Sequence, residues 1–330
     1  MHFADGIAAQ PDALARSRAQ VSAALADVPA PGADEVVGLV GIGASEHIAR
    51  SAAHVWRQAG LRAFALSASE VTAAGARAAD VYVAISESGR STETIDAVAA
   101  IAPRPTVAVV NAPGSPLADA CRTVLDIGSG DDSPIYTTGY TATLQALGML
   151  GEHWSGRPGD WSQLPALVRQ VLDGAREQVD GLSDSFAAAR VIDVVAAGRS
   201  AATAGEGALL LRESARLLTA GHDTRNYLHG PMEPLAPEVA CLVVGDGREV
   251  RLARDTAALG CPTLLLTGAR DVESAGALTV VRLPAAGSPL GRTVLEILPI
   301  QLLAWSVARR RGLPVDGFRY RQDDTKRDLG

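Results

Sequence analysis

Two glutamates, Glu206 and Glu213, stand seven residues apart in the segment GEGALLLRESARL, a spacing that places both on one face of a helix. The residues between them are mostly apolar, so we expect this helix to be largely buried. A buried carboxylate has a raised pKa unless it is paired, which suits a base that takes a proton from carbon near neutral pH. An ion pair with Arg212 or Arg216 is the alternative explanation, and the spacing alone does not decide between the two.

Lys326 is the single lysine of the chain; every other residue among the 30 lysines and arginines is an arginine. Arginine keeps its charge, whereas lysine can lose its proton and act as a base or a nucleophile. Chance in an arginine-rich chain would also leave one lysine in a polar tail. Position alone therefore leaves the role of Lys326 open.

A third chemically capable group occurs in AISESGRSTET, where an apolar strand ends and a helix begins. The hydroxyls of Ser86, Ser88, Ser91 and Thr94 surround Gly89, which allows a tight turn. Free N–H groups at a helix start together with hydroxyls form a site for an anion such as phosphate. The alternative is an ordinary serine-rich helix cap.

The scaffold for these groups is predicted from apolar strands that alternate with helices in both halves of the chain. VVGLVGIG, DVYVAIS and PTVAVVN are strands of the first half, and VIDVVAAG opens the second. Continuous apolar strands between helices predict parallel sheets covered on both faces. Because each half opens with strand, Gly, Ser and helix, the pattern indicates a tandem duplication.

We therefore predict an α/β protein with two domains, each a parallel sheet flanked by helices. The predicted divisions are an N-terminal helical segment (1–35), a first domain with the phosphate site (36–155), a connecting helix (156–186), a second domain with the glutamate helix (187–313) and a C-terminal tail over the site (314–330). The second half has no good copy of the serine-rich loop, because LLLTGARDVES offers only Thr267 and Gly268. We expect one site per chain, at the carboxyl end of the first sheet.

Composition narrows the class of function. The net charge is −7 and no basic run occurs, which argues against nucleic acid as the main partner. The N-terminus lacks an apolar signal segment and no apolar run reaches membrane-spanning length, so we expect a soluble cytoplasmic protein without a membrane partner. Cys121, Cys241 and Cys261 are far apart and lack metal-ligand spacing, and we expect buried structural thiols in a reducing compartment.

Several segments resemble a known family. SESGRSTET resembles the phosphate loop of SIS-domain (sugar isomerase) proteins, VGIGASEHIA resembles their first turn, and VNAPGSPLA resembles the strand and loop that follow the phosphate site. GEGALLLRESARL and YLHGPMEPL resemble the catalytic helix and the His-Gly-Pro loop of the isomerase domain of glucosamine-6-phosphate synthase. The resemblance implies two tandem SIS domains with a flavodoxin-like three-layer fold. It also implies a free-standing protein without a glutaminase domain, similar to amino-sugar-phosphate deaminases/isomerases and fructosamine-phosphate deglycases.

The resemblance also implies roles for individual residues. Glu213 would move the proton between C1 and C2 of an open-chain sugar, and Glu206 would orient the substrate. His229 would help to open the sugar ring and would enter from the neighbouring subunit, which implies at least a homodimer, while Lys326 would lie over the sugar. The implied substrate- and phosphate-binding residues are Ser45, Ser86, Ser88, Gly89, Ser91, Thr94 and Thr137. No metal or other cofactor is implied, because the chemistry is proton transfer.

Four positions depart from the family pattern. Ala44 replaces a threonine of the first turn, Glu87 replaces a polar amide, and Leu210 and Gly139 stand where lysines are expected. A carboxylate beside a phosphate is unfavourable, so we expect Glu87 to point away from it or to pair with Arg90. These departures leave the identity of the sugar open.

The function expected from these features is that of a phosphosugar isomerase/deaminase. It would act on an amino-sugar phosphate or a sugar-amine phosphate by ring opening and enolisation, with release of ammonia or an amine. One alternative is a regulator that binds a sugar phosphate without catalysis. Another is an aminotransferase that uses ammonia from a partner.

Overall fold

Two parallel five-stranded sheets form the frame of the protein, whose structure is a computed structural model that describes residues 1–74, 78–315, 317–320 and 322–328. The first sheet consists of β1 (Val36–Gly41), β2 (Arg62–Ser67), β3 (Val81–Ile85), β4 (Thr106–Val110) and β5 (Thr123–Asp126), in the spatial order β2-β1-β3-β4-β5. The second consists of β6 (Val191–Ala196), β7 (Thr219–Asp223), β8 (Val239–Val244), β9 (Thr263–Thr267) and β10 (Leu278–Arg282), in the order β7-β6-β8-β9-β10. The same strand order occurs twice, which confirms the predicted tandem α/β architecture.

Helices cover the faces of both sheets. They are α1 (Phe3–Ala24), α2 (Ala44–Gln58), α3 (Ala68–Ala74), α4 (Thr92–Ile101), α5 (Pro116–Ala120), α6 (Thr138–Ser155), α7 (Leu164–Asp180), α8 (Ser183–Ala188), α9 (Ala201–Ala215), α10 (Thr224–Tyr227), α11 (Arg248–Ala258) and α12 (Pro289–Arg310). Strands β3, β4 and β8 are buried over their whole length, because helices exclude water from both faces of a parallel sheet.

A continuous apolar core joins the two halves. It includes Leu39 and Ile85 from the first sheet and Val194 and Leu242 from the second. Helices α2, α6, α9 and α12 pack against one another between the sheets. Helix α12 is long and apolar enough to cross a membrane, but 83% of its most apolar window is buried in the protein, as in the core helix of a globular domain. The shared core fixes α9 of the second half relative to the first sheet.

Strand β7 is the main element that the sequence analysis does not predict. Its sequence, TAGHD, has little apolar character, and three of its five residues are partly buried and one exposed. It lies at the edge of the sheet and, within the part of the chain that the structure describes, pairs only with β6. An edge strand needs no continuous apolar run, because one side of it meets no neighbouring strand.

Smaller differences concern helix ends and one cysteine. Within the predicted N-terminal helical segment (1–35), α1 ends at Ala24, and the short α8 was not predicted as a separate helix. The segment SEVTAAGARA also predicts a helix; the structure describes it as α3 as far as Ala74, and residues 75–77 lie outside the described residues. Cys241 and Cys261 are buried, whereas Cys121 is only partly buried, so its prediction as a buried thiol was wrong.

Candidate active site

The predicted phosphate loop connects β3 to α4 by a tight turn. Ser86 is 2% exposed and its hydroxyl donates to Ser91 Oγ at 3.1 Å. Gly89 has φ +62°, and a Cβ there would lie 1.8 Å from Ser115 Oγ, so only glycine fits this turn. The turn directs the loop hydroxyls toward the carboxyl edge of the sheet.

A cavity of about 360 Å³ lies where the strand order reverses between β1 and β3. Open α/β sheets bind ligands at this position. The first turn of α2 contributes Ser45, the phosphate loop contributes Ser86 and Ser91, and α9 contributes Glu206 and Glu213. The glutamates of the second half reach the first sheet because α9 packs against α2, which begins directly after β1.

The C-terminal tail pairs with the phosphate loop. The amide of Thr92 donates to the carbonyl of Thr325 at 3.2 Å, and the amide of Arg327 donates to the carbonyl of Arg90 at 2.9 Å. These bonds flank an antiparallel bridge between Ser91 and Lys326. An ion pair between Arg327 and Asp96 also ties the tail to α4.

This pairing brings Lys326 to the cavity. Its Nζ donates to Ser88 Oγ at 3.1 Å and to Ser91 Oγ at 3.4 Å. Lys326 belongs to an exposed tail, but loss of hydration around its ammonium lowers its pKa. Glu87 opposes this shift and Arg90 adds to it. A lowered pKa increases the fraction of the neutral amine, which is the nucleophilic form.

Neither Glu206 nor Glu213 of α9 forms an ion pair with another described residue. Glu206 is 2% exposed, and its Oε2 has no hydrogen-bond partner there. Burial and then the charge of Glu213 raise the pKa of Glu206 well above its ordinary value. Burial raises the pKa of Glu213 to about 7. Arg212 instead donates to the carbonyl of Thr219 at 2.9 Å, so the ion-pair explanation of these residues was wrong.

We expect Glu206→Gln to make the protein more stable at alkaline pH. The folded state binds the Glu206 proton more tightly than the unfolded state, so stability falls as pH rises above the ordinary pKa of 4.5. Glutamine has no such dependence, and each unit of pKa shift corresponds to about 1.4 kcal/mol. Urea unfolding at about pH 4 and pH 8 measures the effect. If the free energies of unfolding of variant and wild type differ by the same amount at both pH values, the prediction is contradicted. The control is Glu177→Gln, on the exposed face of α7.

Two of the departures from the family pattern are coupled in space. The Glu87 side chain extends over Gly139, where a Cβ would lie 2.5 Å from Glu87 Cγ. Asn111 Nδ2 donates to Glu87 Oε1 at 2.9 Å, and burial raises the pKa of this carboxyl. Arg90 instead donates to the carbonyl of Arg327 at 2.6 Å, so of the two alternatives expected for Glu87 the pair with Arg90 was wrong. Glu87 occupies the space above Gly139, and a larger residue there would displace it.

Gly139→Ala is expected to destabilise the protein by about 1–3 kcal/mol, the usual cost of overpacking. In a Glu87→Ala background part of this cost should disappear, because the nearest group that the new methyl meets is gone, while Asp132 Oδ2, 2.9 Å from the Cβ position, remains. A double-mutant cycle by chemical unfolding measures the coupling. Additive effects of the two substitutions would show that contact with Glu87 is not what makes a larger residue at position 139 unfavourable.

Tyr136 is a cavity residue that the sequence analysis missed. Its hydroxyl hydrogen-bonds the Ser88 side chain, and its pKa is raised, first by burial and then by the charge of Glu87. The charge of Glu213 also raises the pKa of Tyr136. Tyr136 precedes α6 in an irregular loop, so no hydrophobic periodicity indicates its position. It could have been predicted as a cavity residue because it follows β5, which ends at the same sheet edge as the phosphate loop.

Five predicted residues are not among those that line this cavity. Two of them, Ser88 and Gly89, belong to the phosphate loop itself. Thr94 is fully buried in α4, and Thr137 donates its hydroxyl to Asp132 Oδ1 at 2.6 Å. His229 is exposed in the loop after α10. Leu210, at a position where the family pattern has lysine, lies in the apolar core. Within one chain the cavity therefore brings together three of the four predicted serines, the two glutamates and Lys326, but not the histidine.

No protein-family model matches the chain. It is 29% identical over 261 residues to a glutamine–fructose-6-phosphate aminotransferase (isomerizing) of Bradyrhizobium diazoefficiens, a match that covers 73% of this chain and 43% of the relative. The chain thus spans less than half the length of this curated relative.

Solved structures share the fold over nearly the whole chain. The C-terminal domain of glucosamine-fructose-6-phosphate aminotransferase from Francisella tularensis has a TM-score of 0.82 at 20% identity, covering 96% of this chain and 98% of the other. A glucosamine-6-phosphate deaminase from Thermotoga maritima has a TM-score of 0.82 at 18% identity, covering 97% and 98%. The sequence likeness and the shared fold both support the resemblance to SIS-domain proteins: the chain is similar to the C-terminal domain of these aminotransferases.

Proposed function

We propose that the protein is a phosphosugar isomerase/deaminase that releases ammonia or an amine from an amino-sugar phosphate or a sugar-amine phosphate. The observation that carries the proposal is the meeting, in one cavity, of the phosphate loop, a carboxyl with a pKa of about 7 and the single lysine of the chain. The names of the similar proteins, an isomerizing aminotransferase and a glucosamine-6-phosphate deaminase, support the same class of chemistry.

The proposed reaction begins with a phosphate held by Ser86, Ser88 and Ser91 at the start of α4. After ring opening, Glu213 removes a proton from the carbon next to the carbonyl or imine, and the resulting enol is reprotonated on the neighbouring carbon. For a 2-amino aldose this converts the C2 amine to an imine, which water hydrolyses to a ketose and ammonia. For a 1-amino ketose the same transfer leads to an aldose and a free amine.

Lys326 has two possible tasks in this site. Its ammonium, within hydrogen-bonding distance of Ser88 and Ser91, can neutralise a bound phosphate. Its neutral amine can instead act on the sugar carbonyl as a base or a nucleophile. The lowered pKa favours the second task, which arginine could not perform.

Ammonia or amine release from hexosamine phosphates and fructosamine phosphates tests the proposal. Release from one substrate class supports it and identifies the substrate. Binding of these compounds without turnover would instead support a non-catalytic regulator. Turnover of fructose-6-phosphate only when ammonia is supplied would support an aminotransferase that depends on a partner.

The exposed position of His229 leads to a prediction about assembly. We propose a homodimer in which this histidine enters the site of the second copy, because it does not line the cavity of its own chain. Mixing inactive Glu213→Gln and His229→Ala subunits in equal amounts should restore about a quarter of the wild-type activity, since half of the dimers are mixed and each has one intact site. Mixed dimers that form without any recovery of activity would contradict shared sites.

A further inference from the structure

A second cavity, of about 340 Å³, opens beside the candidate active site. The side chains of Glu213 and Phe318 line both cavities. The end of α9, the residues that connect α9 to β7 and part of the C-terminal tail form the rest of its wall. Among its described lining residues, none belongs to the phosphate loop. The second cavity therefore adjoins the first at the proposed base.

Three arginines line this second cavity, and within the part of the chain that the structure describes none of them forms an ion pair. They are Arg212, Arg216 and Arg319. Arg212 Nε donates to the carbonyl of Thr219 at 2.9 Å, a bond that orients the guanidinium and uses no carboxylate. Among the described residues that line the cavity only Glu213 is acidic, and burial raises its pKa to about 7. Guanidinium groups without a protein carboxylate favour an anionic ligand, above all a carboxylate, which they bind by two parallel hydrogen bonds.

Arg216 occupies a position that favours glycine. It caps the end of α9 with φ +54° and ψ +41°, the left-handed conformation that glycine adopts without a penalty. Among the described residues it is the only one other than glycine with a positive φ. Its side chain is exposed, so neither an ion pair nor burial compensates the unfavourable backbone. A residue kept in such a conformation without benefit to the fold supports a role in binding.

Apolar side chains surround the arginines. Leu218, Phe318 and Tyr320 line the cavity and are 63%, 47% and 75% exposed, and they are three of the six large hydrophobic side chains that lie exposed in the described residues. The Arg319 guanidinium also lies 5.2 Å from the centre of the Tyr320 ring. Exposed apolar side chains that cluster at a groove indicate a surface that a ligand covers. The cavity thus suits a ligand with an apolar part and a carboxylate.

The place of this cavity relative to the phosphate loop indicates which part of a substrate it would hold. In a 1-amino ketose with a phosphate on its last carbon, the amine lies at the opposite end of the chain from the phosphate. With the phosphate at Ser86 and Ser91 and C1 at Glu213, a substituent on the amine extends past Glu213 into the second cavity. Ammonia would leave this cavity empty, whereas an α-amino acid would place its carboxylate among the arginines.

We propose that the second cavity holds the amine portion of a sugar-amine phosphate, and that this amine is an α-amino acid with an apolar side chain. The inference rests on the proposed function and narrows it to the release of an amino acid. In the last step water adds across the C1 imine. Its oxygen becomes the aldehyde oxygen of the sugar phosphate, and its two hydrogens pass to the nitrogen, which leaves as the free amino acid. The volume lies at the lower end of small-molecule sites, as expected for a cavity that holds part of a substrate.

Two substrates that differ only in a carboxylate test the inference. They are the fructosamine 6-phosphates of leucine and of 3-methylbutylamine, which is leucine without its carboxylate. We expect the wild-type kcat/KM to be at least about tenfold higher for the leucine adduct, the size of one charge-assisted hydrogen bond. Arg216→Gly should remove most of this preference and should unfold at about the wild-type temperature, because glycine is favoured at this φ.

Arg190→Ala is the matched control. It removes an exposed arginine that precedes β6, at the opposite edge of the second sheet, and it should leave the preference unchanged. An equal loss of preference in this variant would indicate diffuse attraction between charges and would overturn the inference. So would a shift of Arg216→Gly from dimer to monomer in analytical ultracentrifugation, because the arginines would then belong to an interface between two copies.

The remaining outcomes separate this inference from the proposed function. Equal kcat/KM for the two adducts, a preference that Arg216→Gly leaves intact, or ammonia release from glucosamine-6-phosphate without turnover of either adduct would overturn the inference and leave the proposed function standing. If no sugar phosphate releases ammonia or an amine, the proposed function fails. Calorimetric binding of the two adducts, compared by the ratio of their Kd values in wild type and Arg216→Gly, then decides the inference.

Discussion

Replacing Lys326 by arginine is expected to lower kcat/KM by roughly a hundredfold or more, within the range for loss of a positioned proton-transfer group. Arginine keeps the positive charge and can still reach Ser88 and Ser91, so phosphate binding should survive. It cannot lose its proton, and the chemistry that needs a neutral amine should fail. Steady-state kinetics and substrate binding, measured side by side, separate the two effects.

Lys326→Gln is the matched comparison, because it removes both the charge and the titratable amine. We expect it to lose binding as well as turnover. If Lys326→Arg retains most of the activity and Lys326→Gln does not, the lysine serves only to neutralise the phosphate. Since Lys326 belongs to an exposed tail, both variants should unfold at the wild-type temperature.

Replacing Glu213 by glutamine is expected to reduce kcat by about 10² to 10⁴, the contribution of a general base. Glutamine has nearly the same shape, so the cavity and substrate binding should be preserved. The exposed Glu177 on α7 provides the control, and Glu177→Gln should leave activity unchanged.

The same residue predicts the pH dependence of the proposed reaction. The base acts as a carboxylate, and burial raises the pKa of Glu213 to about 7. Titration of Glu213 should therefore make kcat/KM rise with pH up to about 7 and fall about tenfold per pH unit below that value, and above it only deprotonation of Lys326 should raise kcat/KM further. The residual activity of Glu213→Gln should not show this fall toward low pH. A profile that is flat between about pH 5 and pH 8 would exclude Glu213 as the base.

The frame of the site was predictable because it depends on local patterns. A continuous apolar strand followed by Ser86, Ser88 and Gly89 is sufficient to place a hydroxyl-rich turn at the carboxyl edge of a parallel sheet. The seven-residue spacing of Glu206 and Glu213 likewise implies a common helix face. Both inferences use only residues that lie close together in the sequence.

What could not be predicted depends on the approach of distant segments. Tyr136 and Glu87 lie in different loops and meet only because the strands before them end at the same sheet edge. The fit of Glu87 over Gly139 requires the packing of α6 against that edge, which no single segment encodes. Strand β7 was missed because an edge strand can be polar.

The position of the C-terminal tail could be predicted only in part. Its single lysine drew attention to it, but composition cannot give the register of a polar segment. Backbone pairing of Thr325 and Arg327 with the phosphate loop sets that register in the structure. Because the bonds join residues more than 200 positions apart, they follow from the tertiary fold alone.

Exchange of carbon-bound hydrogen with solvent tests the central claim most directly. Proton transfer between C1 and C2 is common to isomerase, deaminase and deglycase reactions, so it does not require the substrate to be known in advance. In deuterated water, wild-type protein should introduce deuterium at C1 or C2 of glucosamine-6-phosphate or of a fructosamine phosphate, as followed by NMR, and Glu213→Gln should not. Saturable binding of these compounds by the wild type without deuterium incorporation would contradict the proposed catalysis.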